Sequence, residues 1–317
     1  LLPHEGAVIR FLLHRLLFQA VPTLFVVAAL SFLLVRLAPG SPFASERELP
    51  PQTVEALNRA YGLDQPMAVQ FFRYVGGVLR GDFGPSLSRP GRGAAEVIVT
   101  ALPTSLSLGA LSLLYAVIVG LGLGVLAAVK PNGAGDHVAM FLALVGLCVP
   151  AMVMGPVLGL LFSLRLNWLP LMGWDSWMQR ILPVITLGSV YAAYIARLAR
   201  GGMLEELGAD YVRTARAKGL SEPAVILRHA LRGGVLPVIS FLGPAAARLF
   251  TGAFVVEQIF HIPGLGRIIV NAALARDQFV VLGCVLVIGA LMILFNTLVD
   301  VALAALNPRI RIGGSAR

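Results

Sequence analysis

The chain has 317 residues, of which 57% are hydrophobic and only 13% charged, with a mean hydropathy of +0.84. A soluble domain carries about 25% charge to wet its surface, so these values exclude an ordinary soluble enzyme and point to a polytopic membrane protein. The net charge of +9 then reads as lysine and arginine in cytoplasmic loops rather than as a nucleic-acid footprint.

Crossing ~30 Å of hydrocarbon takes about 20 apolar residues. The opening Leu1-Leu2-Pro3-His4-Glu5 has neither Met nor a small-residue cleavage site, so the first apolar segment is expected to be a retained span, not a signal peptide. That span is residues 16–35, with Pro22 near its start. No charge falls between Glu96 and Lys130, which places a second span at 104–129. A third is expected at 138–164, a fourth at 181–196, a fifth from Gly233 to about Val256 with Arg248 inside it, and a sixth at 279–299, closed by Asp300. Cys148 and Cys284 both lie in apolar runs, so no disulfide framework is expected.

Six crossings put Arg10, Arg15, Lys130, the 197–232 segment and the tail with Arg309, Arg311 and Arg317 on one side, which the charge bias makes cytoplasmic. Trp168, Trp174 and Trp177 then fall at the opposite headgroup level. The expected class is all-α. Residues 1–37 form a cytoplasmic N-terminus and first transmembrane helix, and 38–103 an external amphipathic region. A five-helix core at 104–306 includes a cytoplasmic loop at 197–232, and 307–317 is a cytoplasmic tail. In the external region a helix is expected after Pro51. A second follows Pro66, with Ala68, Phe71, Phe72, Val75, Val78 and Leu79 as its apolar stripe.

The chain has two lysines, Lys130 before Pro131 and Lys218 before Gly219. A phosphate-binding loop needs Lys followed by Ser or Thr, so ATP chemistry has to come from a partner. Gly133-Ala134-Gly135-Asp136 resembles an aspartyl-protease motif but follows Pro131-Asn132 in a connection, and reads as a turn. His4-Glu5 lacks the second ligand of a zinc motif, since position 8 is Val. Gly120/Gly124 and Gly155/Gly159 read as small-residue helix contacts. No catalytic constellation and no metal site is expected.

The 197–232 segment is too patterned for a plain linker. Leu204, Leu207, Tyr211 and Ala215 recur at helical spacing. Ala215, Ala217 and Gly219 are small enough to let another surface approach, and Gly219 can end a helix. Ser221 is placed to N-cap a second helix, with Glu222 and Pro223 in its first turn.

The run from Arg213 to Pro237 resembles the EAA loop of ABC-importer permeases, in the variant of the peptide/nickel subfamily. Arg213-Thr214-Ala215 stands where the general motif has Glu-Ala-Ala, and Leu236-Pro237 comes later than usual; that subfamily has both departures. Further landmarks are Arg36 to Phe43, Gly81 to Ser86, Glu257 to Gly266, Arg276-Asp277 and Asn307-Pro308-Arg309-Ile310. The pattern is most similar to the B-type membrane subunit of oligopeptide permeases.

The resemblance implies a type I ABC-importer permease fold in a bacterial cytoplasmic (inner) membrane, with both termini cytoplasmic. It implies a homologous second permease, two cytoplasmic ATPases carrying ATP and Mg, and an external binding protein delivering peptide. This chain itself would hold no cofactor and catalyse nothing. Arg213, Thr214, Ala215, Arg216, Ala217, Lys218, Gly219 and Leu220 would form the ATPase-coupling loop, with the cationic residues open to a second reading as an ordinary positive-inside loop. Arg248 either lines the translocation path or snorkels. Glu257, Pro263 and Gly264 are candidate gate residues, with Glu257 bracing the turn. The alternatives are a dipeptide, nickel or other small-solute permease of the same subfamily, or an autonomous secondary transporter.

Overall fold

The structure, a computed structural model, describes residues 15–37, 50–60, 62–89 and 91–306. The landmark residues 38–43 and Asn307 to Ile310, with Arg10, Arg309, Arg311 and Arg317, lie outside that range.

Among the described residues the regular structure is helical. The helices are α1 (Val21–Leu37), α2 (Pro51–Ala60), α3 (Met67–Val78), α4 (Ala94–Val129), α5 (Ala134–Cys148) and α6 (Ala151–Leu158, continued by wider turns over Gly159–Arg165). Then come α7 (Trp177–Leu207), α8 (Asp210–Ala217), α9 (residues 222–234), α10 (Leu236–Thr251), α11 (Phe254–Ile259), α12 (Leu265–Leu274) and α13 (Gln278–Leu306). Five segments are long and apolar enough to cross a membrane: Leu17–Leu37, Ala94–Val129, Trp177–Leu207, Leu236–Ile259 and Gln278–Val301. The pair α5 and α6, bent by 111°, brings the count to six where it is taken as one broken span.

That bend corrects the expected uninterrupted span at 138–164. Pro150 offers no N–H and clashes with a helical predecessor; Val149 is accordingly extended, at φ −87° and ψ 112°. Two other spans run longer than their uncharged cores. Helix α4 begins at Ala94 with Glu96 in its first turn, where the helix dipole favours a carboxylate. Its 36 residues extend about 54 Å at 1.5 Å per residue. Helix α7 begins at a capping box, in which Ser176 Oγ accepts from the Gln179 N–H and Gln179 Oε1 accepts from the Ser176 N–H at 2.9 Å. It runs on to Leu207, so Arg197 and Arg200 stand on the helix, not in a loop.

The chain forms two compact units. The first takes the described residues through Ser105 together with Pro263–Thr297. In it Ala28, Phe32, Tyr74, Leu282 and Leu286 make one core cluster and Ala94, Val97, Ile98, Leu265, Val280 and Cys284 another. Helix α3 presents Phe71, Tyr74 and Val78 to that core, whereas Ala68, Phe72 and Leu79 of the expected stripe are exposed. Tyr74, with an apolar body and a polar tip, takes the central place on the buried face.

The second unit spans Leu106–Ile262 and resumes at Leu298. A Cβ on Gly120 would meet the Ala192 carbonyl at 2.7 Å, and one on Gly124 would meet that of Ala196 at 2.5 Å; α4 and α7 therefore cross in the close contact that small residues permit. Gly155 and Gly159 instead accommodate Ile259, Phe260 and Leu171. Trp168 and Trp177 are exposed, but Trp174 is buried in the core with Leu182 and Phe260, which removes it from the expected headgroup set.

Candidate functional site

Helix α8 ends as the sequence predicts. Gly219 has φ +80°, its N–H donates to the Arg216 carbonyl at 2.9 Å, and the Leu220 N–H donates to that of Ala215 at 3.4 Å. These are the two hydrogen bonds of a Schellman stop, and they need a left-handed residue where glycine carries no Cβ penalty. Across the turn Arg216 Nε contacts Glu222 Oε1 at 2.8 Å, tying α8 to the start of α9. Ser221 sits at the cap position, but its side chain makes no cap bond. The Glu222 carboxylate and Pro223 occupy the first turn, where each suits a helix start.

The expected small-residue face divides in two. Ala215 is buried with Val212, Met203, Val225 and Ala230, while Arg213, Thr214, Arg216, Ala217, Lys218, Gly219 and Leu220 are exposed. Tyr211, expected on the buried stripe, is also exposed. The reason is a break at Ala209, which is extended at φ −70° and ψ 149° and resets the helical register between Leu207 and Tyr211. The Tyr211 hydroxyl donates to Glu206 Oε2, and this partner carboxylate raises the phenol above its usual pKa. Nothing lies within 4 Å of a Cβ built on Gly219. The result is a stiff projection with an open tip, carrying positive charge from Lys218, while Arg213 pairs with Asp210 of the same helix at 3.6 Å.

The projection is anchored by residues the sequence reading did not single out. A Cβ on Gly202 would run into the Gly234 carbonyl, and one on Gly234 would meet Met203 Sδ at 2.6 Å. The doublets Gly201-Gly202 and Gly233-Gly234 were the available signal. Asp136 lies in the first turn of α5, as a turn-to-helix junction requires, and both its oxygens are taken by Arg200 of α7 at 2.7 Å. Its Oδ2 also accepts the Asn132 N–H at 2.9 Å.

Arg248 is exposed on α10, within electrostatic range of Tyr191 and without a carboxylate at ion-pair distance among the described residues. Helix α10 stops at Gly252, so Glu257 belongs to the separate helix α11, where it is 1% exposed. The Glu257 carbonyl accepts the Ile262 N–H at 2.9 Å, a backbone brace on the residue before Pro263. In the other unit Pro263 lines a cavity of about 350 Å³ with Arg89, Thr100, Arg267 and Asn271. Gly264 is the N-cap position of α12, where the Leu265 N–H donates to Ser105 Oγ at 2.8 Å.

Two sequence landmarks meet in that unit. Buried Asp277 accepts Ser86 Oγ at 2.5 Å, Ser88 N–H at 2.9 Å and Ser88 Oγ at 2.8 Å through Oδ2. The Gly81–Ser86 and Arg276-Asp277 landmarks thus form one hydrogen-bonded junction.

The family of binding-protein-dependent transport system inner membrane components matches residues 120–312, and the N-terminal part of such membrane components matches residues 8–109. The oligopeptide transport system permease protein OppB of Haemophilus influenzae is 44% identical over 305 residues, 96% of this chain and 99% of that one. OppB of Escherichia coli K12 is 43% identical with the same coverage. The glutathione transport system permease protein GsiC of Salmonella paratyphi A is 42% identical over 305 residues, again 96% and 99%. The crystal structure of an amino acid ABC transporter with histidines shares the fold at a TM-score of 0.50 and 16% identity, covering 65% of this chain and 92% of that one. The chain belongs to the family of binding-protein-dependent inner membrane components. It is a multi-pass, non-catalytic permease subunit of an ABC importer, and that transport class implies a binding protein and an ATPase as partners.

Proposed function

We propose, from the chain's membership of this importer family, that it translocates oligopeptides handed over by an external binding protein. The observation that carries the cargo reading is the end-to-end match to two permeases named for oligopeptide transport, at 43–44% identity. A homologous permease completes the pathway, two ATPases dock from the cytoplasm, and both termini lie on the ATPase side. The GsiC relative, at 42% identity, favours glutathione as the second cargo to test. Glutathione is itself a small peptide, so the two readings share backbone-like polar chemistry.

The coupling contact is the exposed tip from Arg213 to Leu220. Two features support it: the Schellman stop at Gly219 and the Arg216–Glu222 pair hold the tip rigid, and a rigid element transmits displacement where a flexible one absorbs it. ATPase closure moves the tip and thereby biases the bundle, which requires contacts that differ between the two states.

The experiment is a pull-down from detergent-solubilised membranes, wild type against Ala217→Arg, scored for an ATPase subunit and a second permease. Ala217 is exposed on α8 and helical, so the added bulk falls on the tip without backbone strain. Both partners are expected with wild type, and selective loss of the ATPase with Ala217→Arg. Uptake by the reconstituted importer of a labelled tetrapeptide, competed with unlabelled peptides and glutathione, decides the cargo. Solute transport by the isolated chain without ATP would overturn the importer reading.

A further inference from the structure

Pro85 and Gly93 pair in an antiparallel bridge, which closes the turn that leads into α4 and carries Arg89. The Ser86 N–H donates to the Arg92 carbonyl at 2.9 Å, and the Ala94 N–H to that of Gly84 at 2.8 Å. Asp277 holds the same turn through the hydroxyls of Ser86 and Ser88, and the Arg89 N–H donates to Ser86 Oγ at 3.2 Å. The backbone under Arg89 is thus fixed, while its side chain is exposed and makes no hydrogen bond or ion pair with another described residue.

Arg89 lines the cavity of about 350 Å³ together with Thr100 of α4, Pro263, and Arg267 and Asn271 of α12. A second cavity, of about 220 Å³, has Arg89, Asn271, Ser86 and Ser88 in its lining, so the two adjoin at Arg89 and Asn271. The Thr100 hydroxyl donates back to the Glu96 and Val97 carbonyls, each at 3.0 Å, and is no donor to a ligand. Glu96, one turn earlier on α4, pairs with Arg92 at 3.8 Å. The donors that remain on the cavity wall are the two guanidiniums and the Asn271 amide. That set matches a carboxylate, for which the planar guanidinium fork is the fitted partner.

Shape and position narrow the source of that carboxylate. Arg89, Thr100, Pro263 and Asn271 are exposed and Arg267 is half-buried. A small-molecule site encloses about 70–90% of its ligand, which a bowl with four exposed walls does not. Such a bowl suits a side chain presented by a protein, whose own surface then covers it. Thr100 lies before the expected span at 104–129 and Lys130 after it. The bowl is therefore on the opposite side of the membrane from the Lys130 connection, the external side in the topology proposed above. A binding-protein-dependent importer meets its binding protein on that side. We propose that the bowl is a docking site for an aspartate or glutamate side chain of the external binding protein, held by Arg89 and Arg267 with Asn271 beside them. The proposal rests on the importer reading and adds to it the place and the chemistry of the contact.

The test uses the importer complex reconstituted in nanodiscs and its purified binding protein. Affinity between the two is read by biolayer interferometry at low and high salt, and ATP hydrolysis is read with and without the binding protein. Arg89→Glu is expected to weaken the binding protein about tenfold and to remove most of the salt dependence. Hydrolysis without the binding protein should stay at the wild-type rate, and the subunits should co-purify, since the Arg89 side chain is exposed. Arg89→Gln and Arg267→Gln should weaken binding in the same direction by less. Exposed acids of the binding protein are then changed to arginine one at a time, and one such variant should bind Arg89→Glu more tightly than it binds wild type. Unchanged affinity in both Arg89→Glu and Arg267→Gln, in a complex that imports normally, overturns the site alone. A loss that no acid reversal recovers overturns the carboxylate assignment. Wild-type affinity combined with a selective fall in uptake of a peptide acid against its amide would make the bowl a cargo site and overturn docking. Wild-type uptake that needs neither binding protein nor ATP would overturn the importer reading, and this site with it.

Discussion

Arg200 grips both carboxylate oxygens of Asp136, at 2.7 Å each, joining the first turn of α5 to the helix that leads into the proposed coupling loop. The pair is geometrically bidentate, the strong form of an Arg–carboxylate contact. Asp136 is also held by the Asn132 N–H, and Asn132 has the positive φ of 61° that asparagine tolerates in turns. The connection after α4, the start of α5 and the end of α7 are thereby one rigid assembly behind the loop. Removing one member of such a pair strands the other. Asp136→Asn is expected to lower the unfolding midpoint of the purified complex by about 5 °C and to reduce the transport obtained per ATP hydrolysed. The swap Asp136→Arg with Arg200→Asp should recover part of both losses. Full additivity of the two single changes would show that the residues act separately.

Asp277 has a comparable role in the other unit. It takes three donors from Ser86 and Ser88 on one oxygen and receives the Val280 N–H at 3.4 Å on the other. Hydrogen bonds to a charged group are worth about 1.5–3 kcal/mol each when a buried partner is lost. Asp277→Ala is therefore expected to destabilise the subunit by about 3 kcal/mol or more. Ser86→Ala, which leaves the Ser88 bonds in place, should cost about half of that. Proteolysis of the 82–92 segment in the purified complex gives a local readout. If Asp277→Ala cleaves there no faster than wild type, the junction does not hold that segment.

Much of this was legible because membrane spans announce themselves by the absence of charge. The stretch from Glu96 to Lys130 needs no partner to be read, and Gly219 carries its own conformational signal. Four features escaped for definite reasons. Asp136 looked like a turn residue because its partner Arg200 is remote in sequence and lies past the uncharged core of its span. Tyr74 does not read as part of the α3 stripe because a hydroxyl disguises an aromatic ring that the core accepts. Ala209 itself has no breaker signature, but Gly208 before it caps α7, and the extended backbone of Ala209 shifts the register and puts Tyr211 outside. The meeting of Asp277 with Ser86 and Ser88 depends on tertiary approach, which no local pattern encodes.

Gly219 makes a prediction that separates backbone from bulk. Its φ of +80° is costly for a β-branched residue, about 1–2 kcal/mol, whereas asparagine visits that region readily. No atom lies within 4 Å of the missing Cβ, so sterics inside the chain play no part. Gly219→Val should loosen the end of α8 and lower ATPase recovery in pull-downs several-fold, while Gly219→Asn stays near wild type. Equal loss with Asn and Val would mean that the side chain meets the ATPase directly, and equal retention would remove the turn from the coupling contact.

Among the described residues Arg248 has no carboxylate at ion-pair distance. It is exposed on α10 within electrostatic range of Tyr191, on a span whose other residues near that level are largely apolar. A guanidinium in such a place is costly unless it meets water, a partner or a solute carbonyl. As a path-lining group it would act on cargo, so Arg248→Ala should lower peptide uptake about tenfold while the subunits still co-purify in normal amounts; a tenfold loss corresponds to about 1.4 kcal/mol of transition-state stabilisation. Arg248→Lys, which keeps the charge but not the planar fork, should restore a part that depends on the peptide offered. The measurement is initial uptake into proteoliposomes for a peptide with a free C-terminal carboxylate and for its amide. A change in the ratio between the two places Arg248 against the carboxylate. An unchanged ratio with unchanged uptake assigns Arg248 to the headgroup region as a snorkelling anchor.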